Sequence, residues 1–343
     1  MKLLAIESSC DDTAAAVLVD GAVRSSIVAS QDAVHRGYGG VVPELASRSH
    51  MRALTPTIER ALRDAALSLD QIDAVAATYG PGLVGSLLVG LCAAKAIAYA
   101  RGLPFVGVNH LEGHLLSVRL ERQVAFPYVA LLVSGGHTAL YLARGLGDYA
   151  PLGATRDDAA GEAFDKVGKL LGLEYPGGRL IDTLAKQGDA TAIRFPRARL
   201  KSAGAERRFD FSFSGIKTAV ALHIREHGAE TAARADIAAS FQEAVVDMLL
   251  DGAFAAARSA AVDRLVIAGG VSANSRLRQR ALAAAAEFGI EVVIPDPRYC
   301  TDNAAMIGLA AAYRLERGEH DDLTLNAAAI ADLGAPRWTD AGR

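Results

Sequence analysis

Two histidines four residues apart, in Asn109-His110-Leu111-Glu112-Gly113-His114, are the first residues whose type and spacing invite chemistry. At about 100° per helical residue, His110 and His114 lie roughly 40° apart on one helix face, so both rings can reach one metal ion. They follow an apolar run, Phe105 to Val108, that reads as a buried strand. The helix N-terminus expected there disfavours protonated imidazole and keeps both rings in the ligating form. Spacing alone does not make a site, because His223 and His227 share it. A metal also needs a further ligand. Asp302, in a loop after a strand and just before a helix, can either cap that helix or supply a carboxylate. In the second role it completes a two-histidine, one-carboxylate site with open positions, suited to iron(II) or zinc, and ties the second half of the chain to the first.

A zinc peptidase is the nearest competing chemistry, and its geometry is poor. Glu112 lies about 200° from His110 around the helix, so it cannot reach water on the metal as a peptidase glutamate must. His223-Ile224-Arg225-Glu226-His227 matches the inverted peptidase motif, but Gly228 ends that helix at once and its charges suit a solvated face. Elsewhere the signal is for an anion. Ser134-Gly135-Gly136-His137-Thr138 and Gly269-Gly270-Val271-Ser272-Ala273-Asn274 are Ser/Gly turns after strands, where backbone N–H groups can face a phosphate without a Cβ in the way. Two such turns in equivalent places suit a nucleotide. Asp165, beside Tyr175-Pro176-Gly177-Gly178, can accept from ribose hydroxyls or simply form an exposed face with Lys166. Gly80-Pro81-Gly82-Leu83-Val84-Gly85 resembles a dinucleotide fingerprint, but the following strand lacks the ribose-binding acid, so close helix–strand packing explains its glycines better. Arg194, Arg197, Arg199, Lys201, Arg207 and Arg208, with Arg276, Arg278, Arg280 and Arg298, form a basic strip able to follow an RNA backbone.

The elements that must position these residues repeat. Leu3–Glu7 reads as a strand, Ser8–Asp12 as a turn, Thr13–Val19 as a returning strand and Ala22–Ala29 as a third. Pro43–Leu67 has helical spacing, Ile72–Thr78 is a strand before a glycine turn, and Leu83–Ala100 is an Ala/Gly-rich helix. Periodicity breaks over Arg119–Phe126 and then resumes with strand Tyr128–Val133, a turn, and strand Thr138–Ala143. Strand Leu265–Ala268, helix Ala273–Phe288, strand Ile290–Ile294 and helix Asn303–Glu316 follow. This predicts two copies of a hairpin-led α/β unit, residues 1–122 and 123–325, with the active site in the cleft between them and 326–343 as a tail. The chain of 343 residues has room for two cores, and its net charge of −3 gives no global pull towards nucleic acid. No apolar run reads as a membrane span or signal peptide, and three scattered cysteines form no disulfide framework, so a reducing cytoplasm is expected.

The motifs taken together resemble a family. Ile6-Glu7-Ser8-Ser9-Cys10-Asp11-Asp12-Thr13, Tyr38 to Arg48, His110 to His114, Leu132 to Thr138, Asp158 to Lys166, Phe211 to Lys217, Ala268 to Asn274 and Thr301-Asp302-Asn303 are similar, in order, to the bacterial tRNA N6-adenosine threonylcarbamoyltransferase (TsaD) family, once labelled a sialoglycoprotease. The resemblance implies two ribonuclease-H-like domains of the actin/hexokinase-like (ASKHA) superfamily. It implies one divalent metal, iron(II) before zinc, on His110, His114 and Asp302. It also implies threonylcarbamoyl-adenylate against Leu132, Val133, Ser134, Gly135, Gly136, Asp165, Gly178 and Asn274, with Asp182 assisting. Asp12 stands where the family usually has Glu, and Asp11 is the candidate polar participant in catalysis. The implied partners are tRNA, a non-catalytic paralogue (TsaB-type) pairing through the first domain, and a small ATPase (TsaE-type), with no membrane.

The implied reaction moves threonylcarbamoyl from its adenylate to N6 of adenosine 37 in tRNAs reading codons that begin with A. The adenine amine is a poor nucleophile, so activation must fall on the electrophile, with metal and glycine-turn amides stabilising developing charge. A zinc metallopeptidase and an ASKHA-type small-molecule kinase are the alternatives.

Overall fold

The computed structural model describes residues 1–198, 209–228 and 230–333. Its strands are β1 (Lys2–Glu7), β2 (Asp12–Val19), β3 (Ala22–Ser30), β4 (Ala74–Gly80), β5 (Phe105–Asn109), β6 (Tyr128–Val133), β7 (Thr138–Gly145), β8 (Asp148–Ala154), β9 (Arg264–Ala268) and β10 (Glu291–Val293). Its helices are α1 (Asp32–His35), α2 (Pro43–Asp64), α3 (Val84–Arg101), α4 (His110–Leu116), α5 (Ala160–Leu170), α6 (Gly177–Ala185), α7 (Ser214–His227), α8 (Thr231–Ser259), α9 (Ser275–Phe288) and α10 (Ala304–Glu316).

Two five-stranded sheets form, in the orders β3-β2-β1-β4-β5 and β10-β9-β6-β7-β8. In each, three strands meander antiparallel and two more join parallel to the first. This is one topology used twice, the ribonuclease-H-like arrangement that the resemblance implies. The reason is legible in the residues. β1, β4, β5, β6 and β9 are near-continuous apolar runs, as strands covered on both faces must be, whereas the edge strand β3 mostly alternates exposed and half-buried residues. Helix starts and stops follow local chemistry as well: Pro43 opens α2, and Gly102 in the left-handed region closes α3.

The chain divides into one compact unit of Met1–Val124 with Asp302–Arg343 and a second of Ala125–Thr301. This departs from the expected 123–325, because α10 returns to the first unit. Ala304 to Ala312 are buried, and a Cβ at Gly308 would stand 2.3 Å from Leu18 and 3.2 Å from Ala5. Asp302 therefore belongs with the histidines rather than bridging from the other half. The expected tail also has structure up to Leu333: the Ala328 N–H donates to the Tyr79 carbonyl at 2.8 Å, and Ala327, Ala328 and Ala331 pack against the first core. Residues 334–343 of that tail lie outside the described residues.

The first core gathers Leu4, Ile6, Val17, Leu54, Ile58, Leu91 and Phe105. The second is built on α8, whose Ile237, Phe241, Val245, Leu249 and Phe254 are buried among Phe164, Phe213 and β6. Contrary to the expectation that no run approaches a membrane span, α3 is long and apolar enough by length and composition. Its Leu87, Gly90, Leu91, Ala94 and Ala98 are buried in the first unit, with Gly90 set against Ser8 and Ile6 of the β1 end.

Candidate metal centre

The first unit concentrates its polar side chains at the C-terminal ends of the parallel strands β1, β4 and β5. β5 runs directly into α4, and Asn109 at the junction caps the helix by accepting from the Leu111 N–H at 2.9 Å. That cap fixes the first turn, so His110 and His114 project together, with ring centroids 4.7 Å apart and planes nearly perpendicular. Asp302 enters from the segment before α10. Its Oδ1 lies 3.1 Å from His114 Nε2 and 3.5 Å from His110 Nε2. The helix-capping role open to Asp302 is taken by Asn303, whose side chain accepts from the Met306 N–H at 3.0 Å.

The three ligand atoms lie within 4.8 Å of one another. Around an ion with bonds of about 2.1 Å, tetrahedral ligand atoms stand about 3.4 Å apart, close to the 3.1 and 3.5 Å that separate Asp302 Oδ1 from the two imidazole nitrogens, so small side-chain adjustments would seat a divalent cation. Among the described residues no other group of three His, Cys, Asp or Glu side chains converges in this way. His223 and His227 instead stack on one another, centroids 4.5 Å apart, with His227 mostly in solvent.

The electrostatics favour positive charge here. Both rings are buried, His114 completely. Burial alone would lower His110, but the carboxylates of Asp302 and Glu7 overcome it and raise the ring to about 9. At His110 these two acids act against the helix N-terminus, which favours a neutral ring. His114 does move down, by burial first. Burial likewise raises Asp11, which is half-buried beside Cys10. The Cys10 thiol is also pushed up by burial, and Cys300 is buried, so neither is an activated thiolate.

In the sequence Glu7 stands only as the end of an apolar run and one letter of a motif. In the structure it is completely buried, with Oε2 3.0 Å from His110 Nδ1. A charged residue closing an otherwise buried central strand was the available signal.

In the second unit the nucleotide candidates line up at equivalent strand ends. The β6–β7 turn is closed by Ser134, whose N–H donates to the His137 carbonyl at 2.8 Å and whose Oγ accepts from the His137 N–H at 3.1 Å. Leu132 and Val133 are buried in β6, and no atom lies within 4 Å of a Cβ built at Gly135 or Gly136. The start of α5 packs on this turn, with Gly161 so close that a Cβ would meet the Ser134 carbonyl at 2.5 Å. Gly269, at φ +93°, brings the second turn equally close to the Val133 carbonyl.

Asp165 uses Oδ1 to cap α6 through the Gly177 N–H at 2.8 Å, while Lys166 pairs with Asp158 and Glu162 instead. Gly178 follows on the same turn of α6. Asp182 accepts from Ser275 Oγ at 2.8 Å, and Asn274 caps α9 while donating to Gln242 Oε1 at 2.7 Å.

Two expectations change. The glycines at 80 and 82 do not serve helix–strand packing: a Cβ at Gly80 would meet the Ala328 carbonyl and one at Gly82 the Ser9 carbonyl. Among the described residues, most of the basic strip is engaged within its own unit. Arg197 pairs with Asp247, Arg276 with Glu243, and Arg280 with both. Arg278 donates to the Pro295 carbonyl. Arg199, Lys201, Arg207 and Arg208 lie outside the described residues.

Among solved structures, the chain is similar to full-length HypF in its phosphate- and nucleotide-bound form, with a TM-score of 0.63 at 15% identity over 92% of this chain and 56% of that one. It is also similar to the activator of the 2-hydroxyisocaproyl-CoA dehydratase from Clostridium difficile with bound ADPNP, at TM-score 0.53 and 15% identity, covering 94% of this chain and 99% of that one. These likenesses concern the fold alone. In sequence, the chain is 58% identical over 330 residues to the tRNA N6-adenosine threonylcarbamoyltransferase of Anaeromyxobacter dehalogenans (strain 2CP-1), covering 95% of this chain and 98% of the relative. It is 55% identical to that of Geobacter metallireducens, covering 95% and 96%. The family profile described as "TsaD: tRNA N6-adenosine threonylcarbamoyltransferase" matches residues 22–309, and the chain belongs to that family.

Proposed function

We propose that this enzyme transfers the threonylcarbamoyl group from L-threonylcarbamoyladenylate to N6 of adenosine 37 in tRNAs reading codons that begin with A, releasing AMP. The observation that carries this is the 58% identity to a transferase of that name over nearly the whole of both chains. The convergence of His110, His114 and Asp302 supports a divalent cation, iron(II) before zinc, as its cofactor. When bound, such an ion supplies Lewis-acid polarisation of substrate oxygens.

The remaining chemistry falls to the chain. Backbone amides of Gly135 and Gly136 face the adenylate phosphate, where negative charge grows as AMP departs. Leu132 and Val133 contribute main chain, and Asp165, Gly178, Asp182 and Asn274 hold the nucleoside. Asp11 is the polar side chain offered to the reacting amine, and burial, by raising it, favours a role as proton acceptor. The adenine amine then loses its proton as the new N–C bond forms and the bond to the AMP oxygen breaks.

tRNA and the adenylate are the substrates, and the reaction belongs in the cytoplasm. A TsaB-type paralogue docks on the first unit, where Met51, Val84, Leu88 and Tyr99 leave apolar surface exposed on α2 and α3. A TsaE-type ATPase completes the set.

The test incubates the chain with those partners, the adenylate-forming enzyme, ATP, bicarbonate, threonine and unmodified tRNA, and then analyses digested nucleosides by mass spectrometry. N6-threonylcarbamoyladenosine is expected. An unchanged adenosine pool overturns the transferase reading.

A further inference from the structure

We propose that Glu7 positions His110 for metal binding: it accepts a hydrogen bond from Nδ1–H and thereby holds the Nε2 lone pair towards the ion. The inference rests on the metal reading above and concerns a residue outside the three ligands.

The geometry separates Glu7 from the coordination shell. An imidazole presents its two nitrogens on opposite sides of the ring. Nε2 of His110 lies 3.5 Å from Asp302, whereas Nδ1 lies 3.0 Å from Glu7 Oε2. Glu7 therefore acts through the ring and cannot share the ion with Asp302. Its carboxylate is itself rigidly placed. Oε1 accepts from the Ser9 N–H, and Oε2 accepts from Thr78 Oγ1 on the neighbouring strand β4. Ser9 Oγ stands 3.1 Å from the same Nδ1.

A completely buried carboxylate is costly unless every lone pair is used. Here all the partners named belong to the turn after β1, the end of β4 and the ring of His110.

His114 supplies the contrast. Its Nδ1 is buried with no hydrogen-bond partner among the described residues, so no carboxylate holds that ring from the side away from Asp302. Of the two imidazoles, only His110 carries the carboxylate–histidine arrangement that fixes a tautomer and raises ligand basicity.

The test is a cobalt(II) titration of the full chain and of Glu7→Gln, read by the visible bands of the bound ion, with circular dichroism confirming matched folding. Loss of an outer-shell partner should weaken binding about 10- to 100-fold. Equal affinity of the two chains overturns the proposal. A wild-type chain that takes up no cobalt overturns the metal reading itself, and this proposal with it.

Should Glu7→Gln fail to fold, the zinc-loaded wild-type chain labelled with nitrogen-15 histidine answers the same question by two-bond proton–nitrogen correlation. Protonated Nδ1 and metal-bound Nε2 at His110 are expected. Metal on Nδ1 overturns the proposal.

Discussion

The two units share one strand order yet end their strands in opposite chemistries. In the first, Glu7 closes β1, Thr78 lies near the end of β4, His110 follows β5, and the segment before α10 brings in Asp302. In the second, the equivalent turns after β6 and β9 carry Ser134-Gly135-Gly136 and Gly269-Gly270, which offer backbone and little else. One scaffold thus presents converging side chains of a kind suited to a cation in one unit and open main chain of a kind suited to an anion in the other. What differs is whether the residue after the strand projects a ligand or lets the backbone approach.

The largest expected effect comes from removing a ligand in the first unit. His114→Ala or Asp302→Ala should reduce bound metal and transfer activity at least about 100-fold, beyond the usual cost of losing an outer-shell group. Metal analysis of the purified chains checks this, and near-normal metal content in both variants would dissolve the contrast between the units.

Next comes the backbone of the second unit. In Gly269→Ala, a methyl would stand 2.4 Å from the Val133 carbonyl at a φ of +93°. Strain of this kind costs about 1–3 kcal/mol before any repacking. The melting temperature and AMP binding should both fall while cobalt uptake by the first unit persists. Equal loss of both ligands would mean the units do not divide the work.

Much of this division is readable in the sequence, and the limits have physical causes. The paired histidines, the glycine turns and the repeated strand–turn–strand pattern are local, so they show directly. The place of α10 is not local: its all-round burial in alanine, glycine and isoleucine says that it is covered, not by which sheet. α8 escaped notice because its alanines blur the apolar stripe. Glu7 was hidden because a carboxylate after four apolar residues looks like a strand end until its partners, Thr78 and His110, are known from across the sheet. Likewise Asn303, not Asp302, caps α10, a distinction of one residue that spacing cannot make.

A smaller effect tests whether charge in the second unit is structural. Asp158 accepts from Lys166 at 2.7 Å and Lys217 at 2.9 Å, tying the α5 motif to α7. Burial opposes its ionisation, but the two lysines prevail and hold it below the ordinary carboxylate range. A depressed folded value means that this stability is present above about pH 3.9, the unfolded value, and is lost as pH falls through the folded one. Asp158→Asn should therefore cost about 1 kcal/mol in urea unfolding at pH 6, given partly exposed partners. The gap from wild type should close well below pH 4. A gap independent of pH would assign the cost to packing.

The smallest effect sharpens the comparison most. If Glu7 orients a ligand in the first unit, the second should orient its nucleotide groups by the same device, and two candidates are present. Gln242 accepts from Asn274, and Ser275 donates to Asp182 at 2.8 Å. Asp182 also has Lys186 at 3.6 Å, so it keeps a charged neighbour when the serine is changed. Ser275→Ala removes one hydrogen bond worth about 0.5–1.5 kcal/mol net, without removing a group from the nucleotide. AMP binding measured by calorimetry should weaken about two- to tenfold. The maximal transfer rate should stay unchanged, because orientation of the ribose contact affects ground and transition states alike. An unaltered AMP affinity would show that Asp182 is held by α6 alone. The anion cradle would then depend on backbone throughout, and positioning by a second side chain would belong to the metal side only.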